Sequence, residues 1–199
     1  MSVAEIHPLP KTGTRMSLEE FRAFNLPEES SLILLNGVVY DEADQGEDMT
    51  KRNHQHSLTE ATLAYLLNAW RKTSGMKCQV HSGEVGCELT GQTVSVGIDV
   101  AVFPQSVVEG ITTDFPFIVG TPLLAVEILS PSDRTSGIQQ KVDLYLKSGV
   151  QLVWVVDPHF KTVIVHRNDH VPEMFASGSF LVGEDALPGL RIAVTEIFE

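Results

Sequence analysis

The sequence predicts an α/β fold built on a mixed β-sheet. Three observations predict it. Leu123 to Leu129 (LLAVEIL) and Leu152 to Val156 (LVWVV) are nearly continuous apolar runs, the pattern of strands buried on both faces. An amphipathic helix of about residues 137–148 lies between them. On either side, Ile98 to Phe103 and the alternating stretch Thr162 to Arg167 read as further strands of one sheet.

The elements follow in order. Residues 1–16 hold two prolines and a glycine without periodicity and read as an extended arm. Residues 17–199 read as a single domain, since 199 residues fit roughly one domain of about 150 residues with decorations. Ser17 and Glu20 form a capping box, and Leu18, Phe21 and Phe24 give the apolar stripe of a short helix over 18–24. Leu32 to Leu35, then Asn36-Gly37, then Val38 to Tyr40 predict a tight hairpin. Asp41 to Asp48 carries five acidic residues and reads as a solvated loop. A helix of about 55–72 follows, with Leu58, Ala61, Leu63, Tyr65, Leu66, Ala69 and Trp70 as its buried side. Lys77 to Val80, Val85 to Leu89, Thr93 to Ser95 and Ile98 to Phe103 read as strands, and 104–122 as a loop. Ser136 and Gln139 form a capping box for the later helix, and Gly149 ends it. Asp157-Pro158-His159 turns the chain, and Val194 to Phe198 is a short amphipathic piece.

Composition excludes several classes. The charge sum of 14 basic and 26 acidic residues is −12, which argues against a polyanion binder held by a broad basic face. A local groove from Lys51, Arg52, Arg71, Lys72, Arg134, Lys141 and Lys147 remains open. Two cysteines, Cys78 and Cys87, are too few for a disulfide scaffold and lack zinc-site spacing. No apolar run reaches the roughly 18–20 residues of a membrane span, and the N-terminus has no secretory h-region, so a soluble cytoplasmic protein is expected. Phosphate-loop, dinucleotide, GxSxG and HExxH motifs are absent.

Two carboxylates stand in otherwise apolar strands: Asp99 in VGIDVAVF and Glu127 in LLAVEIL. A lone buried carboxylate costs several kcal/mol, of order 2–7 even for a neutral polar group, so each needs a cation or strong donors. If the strands are neighbours the carboxylates converge. Two hard oxygen ligands then suit Mg2+ or Mn2+. Lys141 flanks the inner face of the following helix, so its ammonium can reach the sheet edge. Metal-assisted phosphodiester hydrolysis is the chemistry such a set serves.

The segment LLAVEILSPSDRTSGIQQKVDLYLKSGVQLVWVVDP, Leu123 to Pro158, resembles the Uma2 family, grouped with the restriction-endonuclease-like PD-(D/E)xK nucleases. The shared pattern is E-x-L-S-P-S, a helix bearing lysine, then G-V-x-x-x-W-V-V-D-P, and the likeness extends over about residues 17–198. The resemblance implies a restriction-endonuclease-like fold, a central mixed sheet flanked by helices with an N-terminal hairpin. It implies an endonuclease cutting phosphodiester bonds, with DNA as the expected substrate. Asp99 matches the aspartate of the P-D element and Glu127 the acidic residue of (D/E)xK. The lysine expected two positions later is Leu129, and Lys141 matches the one displaced to the next helix. The implied metal is held by Asp99, Glu127 and the carbonyl of Ile128. The resemblance also implies that His54 points into the site, although a surface or capping histidine fits equally well, and His56 is the weaker of the pair. Glu84 and Arg134 are further candidates, as an acidic ligand and a phosphate contact.

The chain departs from the pattern at three places. Ile98 replaces the proline before the aspartate, the first hairpin strand LILL lacks a glutamate, and Val38 replaces another. A catalytically degenerate nuclease fold acting as a binding or assembly module is therefore the alternative. A small-molecule metallohydrolase using His54, His56 and Asp99 is a third. Such nucleases often act in pairs, so a homodimer is expected. Trp154 is expected in the core or a subunit interface, and Tyr145 in the core.

Overall fold

The structure is a computed structural model that describes residues 9–24, 26, 30, 32–35, 37–41, 54–92, 95–111, 117–130 and 135–199. Most of the acidic stretch 41–48, the residues Lys51 and Arg52, and the turn with Arg134 lie outside the described residues.

The sheet is mixed and flanked by helices, as the sequence predicts, and most of its strand pairs are antiparallel. Helix α1 (Leu18–Arg22) starts at the Ser17–Glu20 capping box. Strands β1 (Leu32–Leu35) and β2 (Val38–Asp41) form the hairpin, with Gly37 in the left-handed region at φ 72°. The arm is not loose near its end: Gly13 N–H donates to Val39 O, and Met16 N–H to Gly37 O.

Helix α2 (His54–Ser74) follows. Strands β3 (Cys78–Glu88) and β4 (Ser95–Pro104) form a long antiparallel pair. Each merges two strands expected separately. The expected break in β3 is a bulge: Gly83 at φ 89° and Glu84 at φ 55° absorb one extra residue, so pairing resumes beyond it. The 104–122 stretch is not all loop. It holds α3 (Gln105–Val108) and β5 (Ile118–Val119), which pairs in parallel with β3.

Strand β6 (Leu124–Ile128) pairs antiparallel with β4 and parallel with β7 (Leu152–Asp157). Helix α4 (Thr135–Lys147) makes the crossover between β6 and β7. It begins two residues earlier than expected, so Ser136 falls inside the helix and Gln139 donates to Asp143 instead of closing a capping box. Gly149, at φ 88°, ends it as expected. Strands β8 (Thr162–His166) and β9 (Glu173–Phe175) extend the sheet, and β10 (Phe180–Val182) pairs with β11 (Arg191–Ala193). A 3-10 turn, Val194–Phe198, closes the chain.

Two apolar layers bury the sheet. Leu63, Leu67 and Trp70 of α2 pack with Val100, Val126, Ile128 and Trp154 on one face. Val142 and Tyr145 of α4 pack with Ile98, Ala101, Ala125 and Val155 on the other. The buried side of α2 is therefore His56, Thr59, Leu63, Leu67 and Trp70. Leu58 and Tyr65, expected inside, are exposed, Tyr65 by 71%. Among the described residues no helix is long and apolar enough to cross a membrane.

Candidate functional site

Every residue of β6 is buried because helices cover both of its faces. Strand alternation sends Val126 and Ile128 toward α2 and Ala125 toward α4. Glu127 must then face α4, and α4 supplies its partners. The Lys141 ammonium donates to Glu127 Oε2 at 3.1 Å and to the Gly97 carbonyl at 3.2 Å. The Tyr145 hydroxyl donates to Glu127 Oε1 at 2.5 Å. Lys141 and Tyr145 are four apart, one turn along one helix face.

Asp99 reaches the same region by an irregularity. Ile98 and Ala101 both belong to the layer facing α4 although they are three apart, so the two-residue alternation of β4 slips between them. The slip coincides with the bulge, where Gly83 and Glu84 stand opposite Asp99: Ser82 pairs with Val100, and Val85 with Ile98. The β4–β6 ladder ends at Val100–Val126. One step on, the Ile128 N–H donates to Asp99 Oδ2 at 2.7 Å. Asp99 thus replaces a backbone acceptor at the point where the ladder stops.

From the α2 layer, His56 Nε2 lies 3.3 Å from Asp99 Oδ2. His56 Nδ1 lies 3.7 Å from Glu60 Oε2, and Glu60 Oε1 accepts the Gly83 N–H at 2.5 Å. One helix face thereby fixes both the histidine and the bulge. Burial pushes the Asp99 carboxyl up. The His56 hydrogen bond and charge, the Ile128 N–H and the Lys141 charge outweigh burial, so the net shift is downward and Asp99 stays ionised.

The structure brings Asp99, Glu127 and Lys141 together, with Asp99 and Glu127 at 8% and 4% exposure. It does not bring His54 there. His54 opens α2 with an exposed side chain, two residues out of phase with the buried face, and His56 takes the position beside Asp99. Glu84 has an exposed side chain on the bulge. Arg71 and Lys72 end α2, roughly 22 Å along the helix from His56 at 1.5 Å per residue, so they do not flank the carboxylates. Trp154 lies wholly in the core. The sequence alone ranks His56 below His54 and misses the Tyr145 hydroxyl.

The donor set fits a hard divalent cation. Asp99 and Glu127 offer ionisable oxygens, and the Ile128 carbonyl lies on the same strand end. Among the described residues no group of three His, Cys, Asp or Glu side chains forms a self-contained cage.

The fold is a central mixed sheet flanked by helices, with two carboxylates buried on adjacent strands. The family model described as "Uma2: Putative restriction endonuclease" matches residues 18–195, and the chain belongs to that family. Among solved structures, one described as "a putative nuclease belonging to DUF820 from Anabaena variabilis ATCC 29413" is similar, with a TM-score of 0.74 and 21% identity. The match covers 92% of this chain and 97% of that one, and at this identity it establishes the shared fold. No match was found among curated proteins.

Proposed function

We propose that the protein is a divalent-metal-dependent endonuclease that hydrolyses phosphodiester bonds of nucleic acid, with DNA as the first substrate to test. The observation that carries this reading is the pair of buried carboxylates on adjacent strands, one of them tied to a lysine at 3.1 Å. Family membership and the nuclease description of the similar structure support it.

Asp99, Glu127 and the Ile128 carbonyl would hold Mg2+ or Mn2+. When bound, such an ion lowers the pKa of water and offsets charge on the phosphoryl oxygens. The chain's own groups prepare the site. His56 and the Ile128 N–H orient the Asp99 carboxylate. Tyr145 fixes one oxygen of Glu127, and Lys141 holds the other. We assign the Lys141 ammonium to positioning the attacking water and countering transition-state charge. His54 has no part in this scheme.

The net charge of −12 opposes a polyanion, so binding must rely on local cations and the metal. Binding that tracks phosphates weakens steeply with salt. The test is nicking of supercoiled plasmid in Mg2+ or Mn2+ by wild type and Glu127→Ala purified identically. Metal-dependent nicking lost in the variant supports the nuclease. Equal nicking by both proteins overturns the site. No nicking by either favours the degenerate binding module, for which the leucine-rich, glutamate-free β1 is the specific observation.

A further inference from the structure

Beside Asp99 lies a cleft of about 370 Å3 that phosphodiester chemistry does not account for. His56, Leu129, Asp157, Pro158, His159 and Phe160 wall it. His56 is the hinge between the two regions: its ring lines the cleft while its Nε2 contacts Asp99. The volume falls within the roughly 300–1,000 Å3 of small-ligand pockets.

The far wall is the β7–β8 turn, and it is held rigidly. Asp157 Oδ1 accepts the N–H groups of His159 at 2.9 Å and Phe160 at 3.0 Å. This Asx turn fixes the two aromatic residues on the backbone. The His159 ring meets Phe160 edge-on, with centroids 4.9 Å apart and planes at 77°. Phe160 nevertheless stays 73% exposed. A phenyl ring left in water forgoes about 1.5–3 kcal/mol of burial, and among the described residues neither the core nor another element covers it. Lys161, also exposed, follows at once and brings a positive charge to the tip.

We propose that this cleft is a subsite for one unpaired nucleobase of the nucleic-acid strand, with Phe160 as the stacking platform and His159 as its brace. The proposal rests on the nuclease reading of the adjoining carboxylates. A strand with a phosphate at Asp99 has its neighbouring base within reach of the cleft, because His56 borders both. A flat apolar ring accepts the π-face of any base, so the contact is sequence-tolerant. It requires the base to be unstacked. The protein should therefore favour single-stranded or locally opened substrate over intact duplex.

The test is equilibrium binding of DNA and RNA octamers carrying a central 2-aminopurine and a terminal dye, with calcium present as a hard oxygen-seeking cation. Anisotropy reads affinity, and 2-aminopurine emission reads stacking. Wild type should quench the 2-aminopurine of at least one octamer. Phe160→Ala should weaken binding by about tenfold or more, and Phe160→Trp should retain it. An abasic unit at the same position should weaken wild type by the same factor, with Phe160→Ala then causing no further loss. Equal affinity of Phe160→Ala and wild type overturns the subsite, as does an abasic unit that costs nothing or wild type that binds neither octamer. The two readings separate cleanly. Metal-dependent cleavage of plasmid or octamer with no role for Phe160 removes the subsite alone, whereas Phe160-dependent binding without cleavage of either substrate in Mg2+ or Mn2+ removes the nuclease alone.

Discussion

The Tyr145 hydroxyl donates to Glu127 Oε1 at 2.5 Å, from one helical turn beyond the lysine that holds the other oxygen. A buried carboxylate that accepts a charge-assisted hydrogen bond gains about 1.5–3 kcal/mol from it. Tyr145→Phe keeps the ring in the core and removes only the oxygen. It should destabilise the protein by about 1–3 kcal/mol in urea denaturation, with the unfolding slope unchanged.

Lys141 and Glu127 are both largely buried, with side-chain exposures of 14% and 5%. Removing one partner of such a pair leaves a charge in a low-dielectric layer, at a cost of about 3–5 kcal/mol. Lys141→Met should therefore destabilise strongly, and adding Glu127→Gln should recover much of the loss. A double-mutant cycle checks this, and additive effects would show that the two groups are not coupled.

How far the sequence reveals the site depends on the kind of signal. Glu127 was legible because a charge in LLAVEIL has no apolar explanation, and the same run specified β6. The hairpin was legible because Gly37 meets a backbone need that few residues can. The α2 phase was not. Counting Leu58 and Tyr65 as inner residues rotates the helix away from its true face, where His56, Leu63, Leu67 and Trp70 recur at seven, eleven and fourteen. Placing His56 in phase with those residues would have chosen it over His54. Tyr145 hid differently: its ring is core, and only its spacing of four from Lys141 pointed to the hydroxyl. Strands β9, β10 and β11 have three residues each, too short for a two-residue alternation to stand out. The bulge that sets Asp99 depends on pairing across β3 and β4, which no local pattern encodes.

The two histidines at the start of α2 should differ sharply. His54 is exposed, so His54→Ala should change stability by no more than about 0.5 kcal/mol. His56 is 7% exposed and lies against Asp99, and His56→Ala should cost about 1–3 kcal/mol. Thermal denaturation of both variants at one pH makes the comparison.

Burial pushes the Cys87 thiol from 9.0 up to about 12. The folded state then keeps its proton where the unfolded chain loses it. With fewer protons on the unfolded chain, stability falls as pH rises from about 9 to about 12, by up to about 1.36 kcal/mol per pH unit for this group. Cys87→Ala should flatten that part of the decline in denaturation midpoints. The native protein should also resist alkylation at Cys87 at neutral pH and react once unfolded, as mass spectrometry of labelled peptides would show.

The central proposal is that Asp99 and Glu127 act as one metal centre. The most direct measurement is titration of Mn2+ into wild type, Asp99→Asn and Glu127→Gln, with free Mn2+ followed by its solution EPR signal. The account predicts a binding site in wild type that either substitution abolishes or weakens at least tenfold. Wild type that binds no Mn2+, or variants that bind it as well as wild type does, would contradict it.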